Sequence, residues 1–225
     1  MLKKALINGA NGKMGKAVAR IMKEHPELGL EPAILREHGQ KTSEPFDVII
    51  DFSSPEGAVE AFYLAKDRRK PFLTGTTNLP ETFLFQMQEE EKIPVFYSPN
   101  VSLSVYYFTE LAKTAAAMYK GYDVNIHEIH HTQKKDAPSG TAKKIAEALD
   151  VPLSAVTSER IGDTVGTHSV TLASALDCIT LTHKATDRDL FADSAVRIAA
   201  WLLKRGAGFY TMSDYAKFKL KEKKK

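Results

Sequence analysis

The chain carries a single cysteine, Cys178, a single tryptophan, and no excess of either charge beyond a formal +3 in 225 residues. One cysteine excludes an intrachain disulfide and a cysteine-rich zinc site, and it suits a reducing compartment. Cys178 falls in the apolar run "LDCITLTH", where the expected role is a small buried hydrophobe rather than a nucleophile. No apolar run approaches the ~18 residues that a membrane-spanning helix needs, and the opening "MLKKALINGANG" has too short an apolar stretch for a signal peptide. A cytoplasmic chain with no membrane partner is the expectation. Several lysines stand in the terminal "KFKLKEKKK", expected to be a frayed, solvated end, so the body is near neutral. Nucleic-acid binding would need a basic face with interleaved aromatics, and no such face is legible.

What is present is ordinary for a globular chain: 43% hydrophobic and 26% charged residues, which disfavours a disordered or fibrous class. The first half alternates β-rich runs ("KKALIN", "LEPAIL", "FDVIID", "PFLTG", "IPVFYS") with amphipathic stretches ("KMGKAVARIMKEH", "PEGAVEAFYLAKD", "PETFLFQMQEE"). This pattern predicts a Rossmann-type α/β domain, a parallel sheet with ligands outside the carboxyl ends of its strands. From Ser102 a long helical pattern leaves this sheet. It is followed by the alternating "YDVNIHEI", a helix from Ser139, and a hairpin of "THSVTLAS" and "DCITLTHKA", an α+β region built on an open mixed sheet. The final helix, "LFADSAVRIAAWLLKRG", is expected to stop at Gly206 in a left-handed turn. The expected domains are 1–101 plus 188–225, and 102–187.

"GANGKMG" sets Gly9, Gly12 and Gly15 between a strand and a helix. In that context Gly9 permits the tight turn, Gly12 lets the backbone approach a pyrophosphate, and Gly15 lets helix and strand pack closely. The spacing is GxxGxxG rather than GxGxxG, and glycine-rich turns of this kind also arise for steric reasons alone. The second strand ends "AILREH", with Arg36 near the place where an acidic residue would hold a ribose hydroxyl. Arg36 could pair with a 2′-phosphate and Lys13 could assist, which leans towards NADPH; Glu37 keeps NADH open.

The stretch "EIHHTQKKDAPSGTA", residues 128 to 142, crowds histidines and lysines ahead of a helix. Ser139 is a suitable N-cap for "GTAKKIAEAL", and the N–H groups of Gly140 and Thr141 then form an anion site at a positive helix end. His131 and Lys134 add hydrogen-bonding and positive capacity, so the natural ligand is a small carboxylate or phosphate. His130 remains as an acid, and Lys134 could also deliver a proton. Metal binding is not expected, because adjacent histidines on a strand point to opposite faces and no HExxH pair occurs.

This stretch closely resembles the signature E-x-H-H-x-x-K-x-D-A-P-S-G-T-A of the dihydrodipicolinate reductase family. The likeness continues through "GANGKMG", "DFSSPEG", "GTT", "PNVS" and "THKATDRDLFADSAVRIAAWL". The resemblance implies NADH- or NADPH-dependent reduction of a cyclic dicarboxylic imine-type substrate to tetrahydrodipicolinate, in the diaminopimelate route to lysine. It implies His130 and Lys134 as catalytic proton donors, and His131, Lys134, Ser139, Gly140 and Thr141 as substrate ligands. It further implies cofactor contacts from Gly9, Asn11, Gly12, Lys13, Met14, Gly15, Arg36, Phe52, Gly75, Thr76, Thr77, Pro99, Asn100 and Ser102, and a homotetramer built through the substrate-domain sheet. Val101 and Ser104 stand where the family pattern has Phe and Gly, and "RIGDTVGTH" is shorter than in longer members, which trims that sheet. Two rival readings are another two-domain nicotinamide oxidoreductase, such as a semialdehyde or sugar dehydrogenase, and a nucleotide-sensing module without catalysis. Cys178 in a strand argues against thioester chemistry, and the intact His130 and Lys134 argue against a bare sensor.

Overall fold

The computed structural model describes residues 1–222, which separate into two compact units, Met1–Ser102 with the segment from Asp189 onward, and Leu103–Arg188. The first unit begins with β1 (Lys3–Asn8), α1 (Lys13–Glu24), β2 (Leu30–Arg36), β3 (Val48–Asp51), α2 (Pro55–Arg68), β4 (Phe72–Thr74), α3 (Glu81–Gln88) and β5 (Pro94–Tyr97). It resumes with α6 (Asp189–Leu202), β10 (Gly208–Tyr210) and α7 (Met212–Glu222). The second unit holds α4 (Leu103–Met118), β6 (Asp123–His130), α5 (Gly140–Leu149), β7 (Val156–Arg160), β8 (Gly166–Ala173) and β9 (Cys178–Ala185).

In the first unit six strands pair in parallel in the order β10-β5-β4-β3-β1-β2, a Rossmann-type sheet. Its inner strands β3 and β4 are short runs buried on both faces, as a sheet covered by helices requires: all four residues of β3 and all three of β4 are buried. Phe62 on α2 packs edge-on to Phe72 and Phe83, with ring centroids 5.7 and 5.4 Å apart, over a floor of Leu6, Ile49, Met87 and Val95. The helix is fixed at its start by Pro55 in the first turn and by the Ser54 hydroxyl, which accepts from the Gly57 N–H. The strand order reverses direction at β1, so the loops after β1, β3, β4 and β5 gather at the carboxyl edge where such sheets bind ligands.

The second unit is a mixed four-stranded sheet, β7-β6-β8-β9, with β6 and β7 parallel and the remaining pairs antiparallel. Period-two alternation sorts its residues. Ile126, Val170 and Leu172 face α4 and α5 in one apolar cluster with Phe108, Ala142, Ile145 and Ala146. On the opposite face hydroxyls pair across strands, Ser169 with Thr182 and Thr171 with Thr180, each at 2.9 Å.

Four expectations need correction. The "KFKLKE" part of the tail is not frayed but completes α7, because Phe218 and Tyr215 pack on Trp201 and the Arg205 guanidinium lies 5.3 Å from the Trp201 ring; the last three lysines lie outside the described residues. Helix α6 stops at Leu202 and is not the final helix, and the left-handed glycine beyond it is Gly208, φ 135°, rather than Gly206. Cys178 is exposed, since the alternation along β9 puts its side chain on the outward face. The short β7 and β10 are also present. Each is a run of five residues or fewer whose place depends on a neighbouring strand more than on its own pattern.

Candidate active site

Two groups of residues carry chemistry, one in each unit. In the first unit, the turn after β1 runs through Gly9 in a left-handed conformation, φ 80°, where a Cβ would also lie 2.4 Å from the Phe52 carbonyl oxygen. At Gly15 a Cβ would meet the Gly9 carbonyl oxygen at 2.2 Å, so α1 packs on its own preceding turn rather than on the strand. Gly12 caps α1 without a side-chain hydrogen bond, and no acidic residue stands in the first turn. An uncapped, acid-free helix start beside a glycine turn fits the pyrophosphate of a dinucleotide. Lys13 is exposed at the first helical position and Met14 is half-buried.

Neighbouring loops assemble along the same sheet edge through backbone bonds. The Phe52 N–H donates to Asn8 O, Gly75 N–H to Asp51 O and Ser98 N–H to Thr74 O. The Phe52 ring lies against the backbone at Gly75, where a Cβ would sit 2.2 Å from it. Thr76 is buried, Thr77 is exposed, Pro99 and Asn100 are half-buried and Ser102 is buried. These are the positions that the sequence resemblance assigns to the nicotinamide end of the cofactor.

Arg36 is not where a phosphate could reach it. Its side chain is 4% exposed, and its guanidinium donates to Gln40 O (2.7 Å) and Asn8 Oδ1 (2.5 Å) and pairs with Glu60 (2.8 Å). The neighbouring Glu37 instead presents its carboxylate at the glycine turn, accepting from the Asn11 N–H at 2.6 Å. This corrects the reading of Arg36 as a cofactor ligand: its side chain is buried, with each of its three nitrogens engaged by Gln40 O, Asn8 Oδ1 or Glu60.

In the second unit, the sheet face that is apolar at Ile126 becomes polar at Glu128 and His130, two and four residues along β6. Register places His168 of β8 directly opposite Glu128, and Arg160 of β7 beside His130. Glu128 is fully buried and serves as the hub. One oxygen accepts from Arg160 (2.8 Å) and the Ser139 N–H (3.2 Å), while the other is bonded to His130 Nδ1. Burial would raise the Glu128 carboxyl pKa, but hydrogen bonds from Arg160, Ser158 and His130 outweigh it and the net shift is downward. Burial lowers the pKa of His130, against the opposing pull of Glu128, and drives His168 from its ordinary 6.5 down to about 4. Gly166 lies where a Cβ would come within 3.0 Å of His130 Nε2, so the glycine leaves that nitrogen room.

Helix α5 starts at this cluster. Ser139 caps it as expected, its hydroxyl accepting from the Ala142 N–H at 3.1 Å. That same hydroxyl lies 3.3 Å from His168 Nε2, and Ser139 is 2% exposed, so the residue holds the helix and the cluster together and has little left to offer a ligand. Gly140 opens outward with nothing within 4 Å of a notional Cβ, Thr141 follows in the first turn, and no acidic residue is present there. Lys134 pairs with Asp136 at 2.8 Å, and His131 is half-buried in the connecting turn. The histidines, the lysine and the helix start are legible in the sequence, whereas the roles of Glu128, Arg160 and His168 are not. The i, i+2 spacing of Glu128 and His130 on one strand was a usable signal; Arg160 and His168 come from other strands and needed the register.

Among the described residues, Glu128, His130 and His168 are the one group of His, Cys, Asp and Glu able to converge on a metal, their ligand atoms lying within 4.8 Å of one another. The Glu128 carboxylate is already neutralised by Arg160, which suits the group to holding an imidazole rather than a divalent ion.

The fold and these two groups define a two-unit α/β oxidoreductase with a dinucleotide-type sheet and an anion-binding helix start beside a buried acid–imidazole pair. Residues 3–101 match the family described as "Dihydrodipicolinate reductase, N-terminus" and residues 104–215 the one described as "Dihydrodipicolinate reductase, C-terminus". The chain is 39% identical over 236 residues to 4-hydroxy-tetrahydrodipicolinate reductase from Campylobacter jejuni subsp. jejuni serotype O:6, covering 93% of this chain and 97% of that protein. It is 34% identical over 249 residues to the enzyme of that name from Caldanaerobacter subterraneus subsp. tengcongensis, covering 96% and 99%. In fold it is similar to the dipicolinate-bound dihydrodipicolinate reductase of Paenisporosarcina sp. TG-14, with a TM-score of 0.73 at 20% identity over 94% of this chain and 98% of that one. The chain belongs to the dihydrodipicolinate reductase family, and it is an NAD(P)H-dependent reductase of the diaminopimelate route to lysine.

Proposed function

We propose that the chain reduces 4-hydroxy-tetrahydrodipicolinate to tetrahydrodipicolinate, with NADH as its preferred reductant. The observation that carries the reaction is the buried Glu128–His130 pair set beside the outward-opening start of α5. The reduced nicotinamide, when bound, supplies the hydride. The chain's own residues bind and protonate. Gly140 and Thr141 at the helix start, with His131 and Lys134 ahead of them, hold the substrate carboxylates. Glu128 fixes the His130 ring through Nδ1 and stabilises its imidazolium, which leaves Nε2 as the proton donor in the space kept by Gly166. Lys134, steadied by Asp136, adds positive charge where the reduced ring system gathers negative charge.

The preference for NADH rests on the end of β2. Arg36 is committed inside the fold, whereas Glu37 stands at the glycine turn, the chemistry that accepts hydrogen bonds from a ribose diol and repels a 2′-phosphate. Cofactor contacts come from Gly9, Asn11, Gly12 and Gly15 at the pyrophosphate and from Phe52, Gly75, Thr76 and Asn100 at the nicotinamide. The enzyme works in the cytoplasm as a homotetramer built on the outward hydroxyl-lined face of the β7-β6-β8-β9 sheet.

The test of the catalytic assignment is His130→Gln. Its kcat is expected to fall at least ~100-fold with the substrate KM changed by less than about threefold, because a proton donor acts in the transition state. A variant with the wild-type kcat removes His130 from the mechanism.

A further inference from the structure

Beneath the nucleotide-side loops lies a buried carboxylate that the reaction does not use. Asp51, the last residue of β3, is fully buried, and both of its oxygens are filled by neutral donors. Asn8 Nδ2 (2.7 Å) and the Ser53 hydroxyl take Oδ1, while the Thr74 and Thr76 hydroxyls, each at 2.7 Å, take Oδ2. These donors come from β1, from the loop after β3, from β4 and from the loop after β4. Two cross-links tie the loops further: the Thr76 N–H donates to the Thr74 hydroxyl at 3.1 Å, and the Ser53 N–H donates to the Thr76 hydroxyl at 3.0 Å. The network continues sideways. Asn8 Oδ1 receives Arg36, and Arg36 pairs with Glu60.

A buried carboxylate is costly unless hydrogen-bonded, and here the donors that compensate it are the residues shaping the two loops at the nicotinamide end. We propose that Asp51, acting through Thr74 and Ser53, is a positioning residue for reduced nicotinamide dinucleotide: it holds the loops 52–54 and 75–77 in the register that binds the nicotinamide end. The inference rests on the assignment of those loops to the cofactor. It also gives Arg36 a place at the far end of the same network, a brace for Asn8 rather than a phosphate ligand.

Thr74 offers the cleanest handle, because it is fully buried in β4 and lies beneath the binding loops rather than in them. Thr74→Val keeps the shape and the β-branch but deletes the hydroxyl that joins Asp51 to the Thr76 N–H; Thr74→Ser keeps the hydroxyl. NADH affinity is measured by quenching of protein fluorescence, dipicolinate affinity by calorimetry as a control on the second unit, and Tm alongside. Thr74→Val is expected to weaken NADH binding about tenfold or more, Thr74→Ser to stay within about threefold of the parent, and dipicolinate affinity to be unchanged. Loss of Tm with unchanged NADH affinity in Thr74→Val would make the network merely structural and overturn the proposal, as would equal weakening in both variants. Should Thr74→Val not fold, Ser53→Ala removes a donor from the other oxygen at a less buried position, and unchanged NADH affinity there overturns the proposal equally. Parent protein that binds neither NADH nor NADPH would instead refute the cofactor assignment itself.

Discussion

His168 illustrates how a single buried side chain ties the site to stability. The folded chain holds it neutral, its pKa taken from 6.5 to about 4 by burial first and by the adjacent His130 second. Below pH 6.5 the unfolded chain therefore binds more protons than the folded one, so the stability present above that pH drains away as pH falls towards 4. The contribution is on the order of 3 kcal/mol. Urea unfolding measured near pH 7 and again near pH 4 is expected to show a smaller acid loss in His168→Gln than in the parent; identical losses would contradict the assignment. The groups acting on His168 and His130 include Glu128, His183, Lys134 and Arg160, so the acid limb reports this cluster rather than a lone imidazole. Glu128 was in plain view in the sequence, but its role depends on burial, and burial is not a property of a residue type.

At the scale of elements, the start of α5 is where local sequence and function agree most closely. Ser139 caps the helix, Gly140 follows on the open side, and the absence of an acidic residue keeps the turn attractive to a carboxylate. Gly140→Val meets nothing within 4 Å in the protein, so its Tm is expected to stay near that of the parent. The substrate KM is expected to rise about tenfold or more, with a smaller change in kcat, because the added side chain occupies the carboxylate's place. An unchanged KM would move the carboxylate site away from α5. Sheet register supplies what this local motif lacks. Arg160 and His168 lie 32 and 40 positions beyond Glu128 in the chain, and only the pairing of β6 with β7 and β8 brings them to it. The first unit shows the same limit: Asp51 and Thr74 carry no signal of their own in the sequence, and it takes the parallel pairing of β3 with β4 to bring the Thr74 and Thr76 hydroxyls to the Asp51 carboxylate.

For the whole molecule, the alternation of strands and helices, the glycine turn and the signature before α5 made the architecture and the chemistry legible without coordinates. Long-range properties were not. The place of Arg36 after the glycine turn suggests a partner for a 2′-phosphate, yet Asn8 and Glu60, distant in sequence, draw it inward. The tail was read from its charge, but Tyr215 and Phe218 are spaced to meet Trp201 and make it a helix. Both errors come from judging a side chain by its own chemistry when its partners lie elsewhere in the chain. The corrected position of Arg36 bears on the central claim, which is reduction of 4-hydroxy-tetrahydrodipicolinate with NADH preferred. The most direct measurement is the initial rate of nicotinamide oxidation by the purified chain with enzymatically generated 4-hydroxy-tetrahydrodipicolinate, comparing NADH with NADPH. Turnover is expected with both, with a kcat/KM at least ~10-fold higher with NADH; tight binding of either nucleotide without turnover, or a preference for NADPH, would contradict that claim.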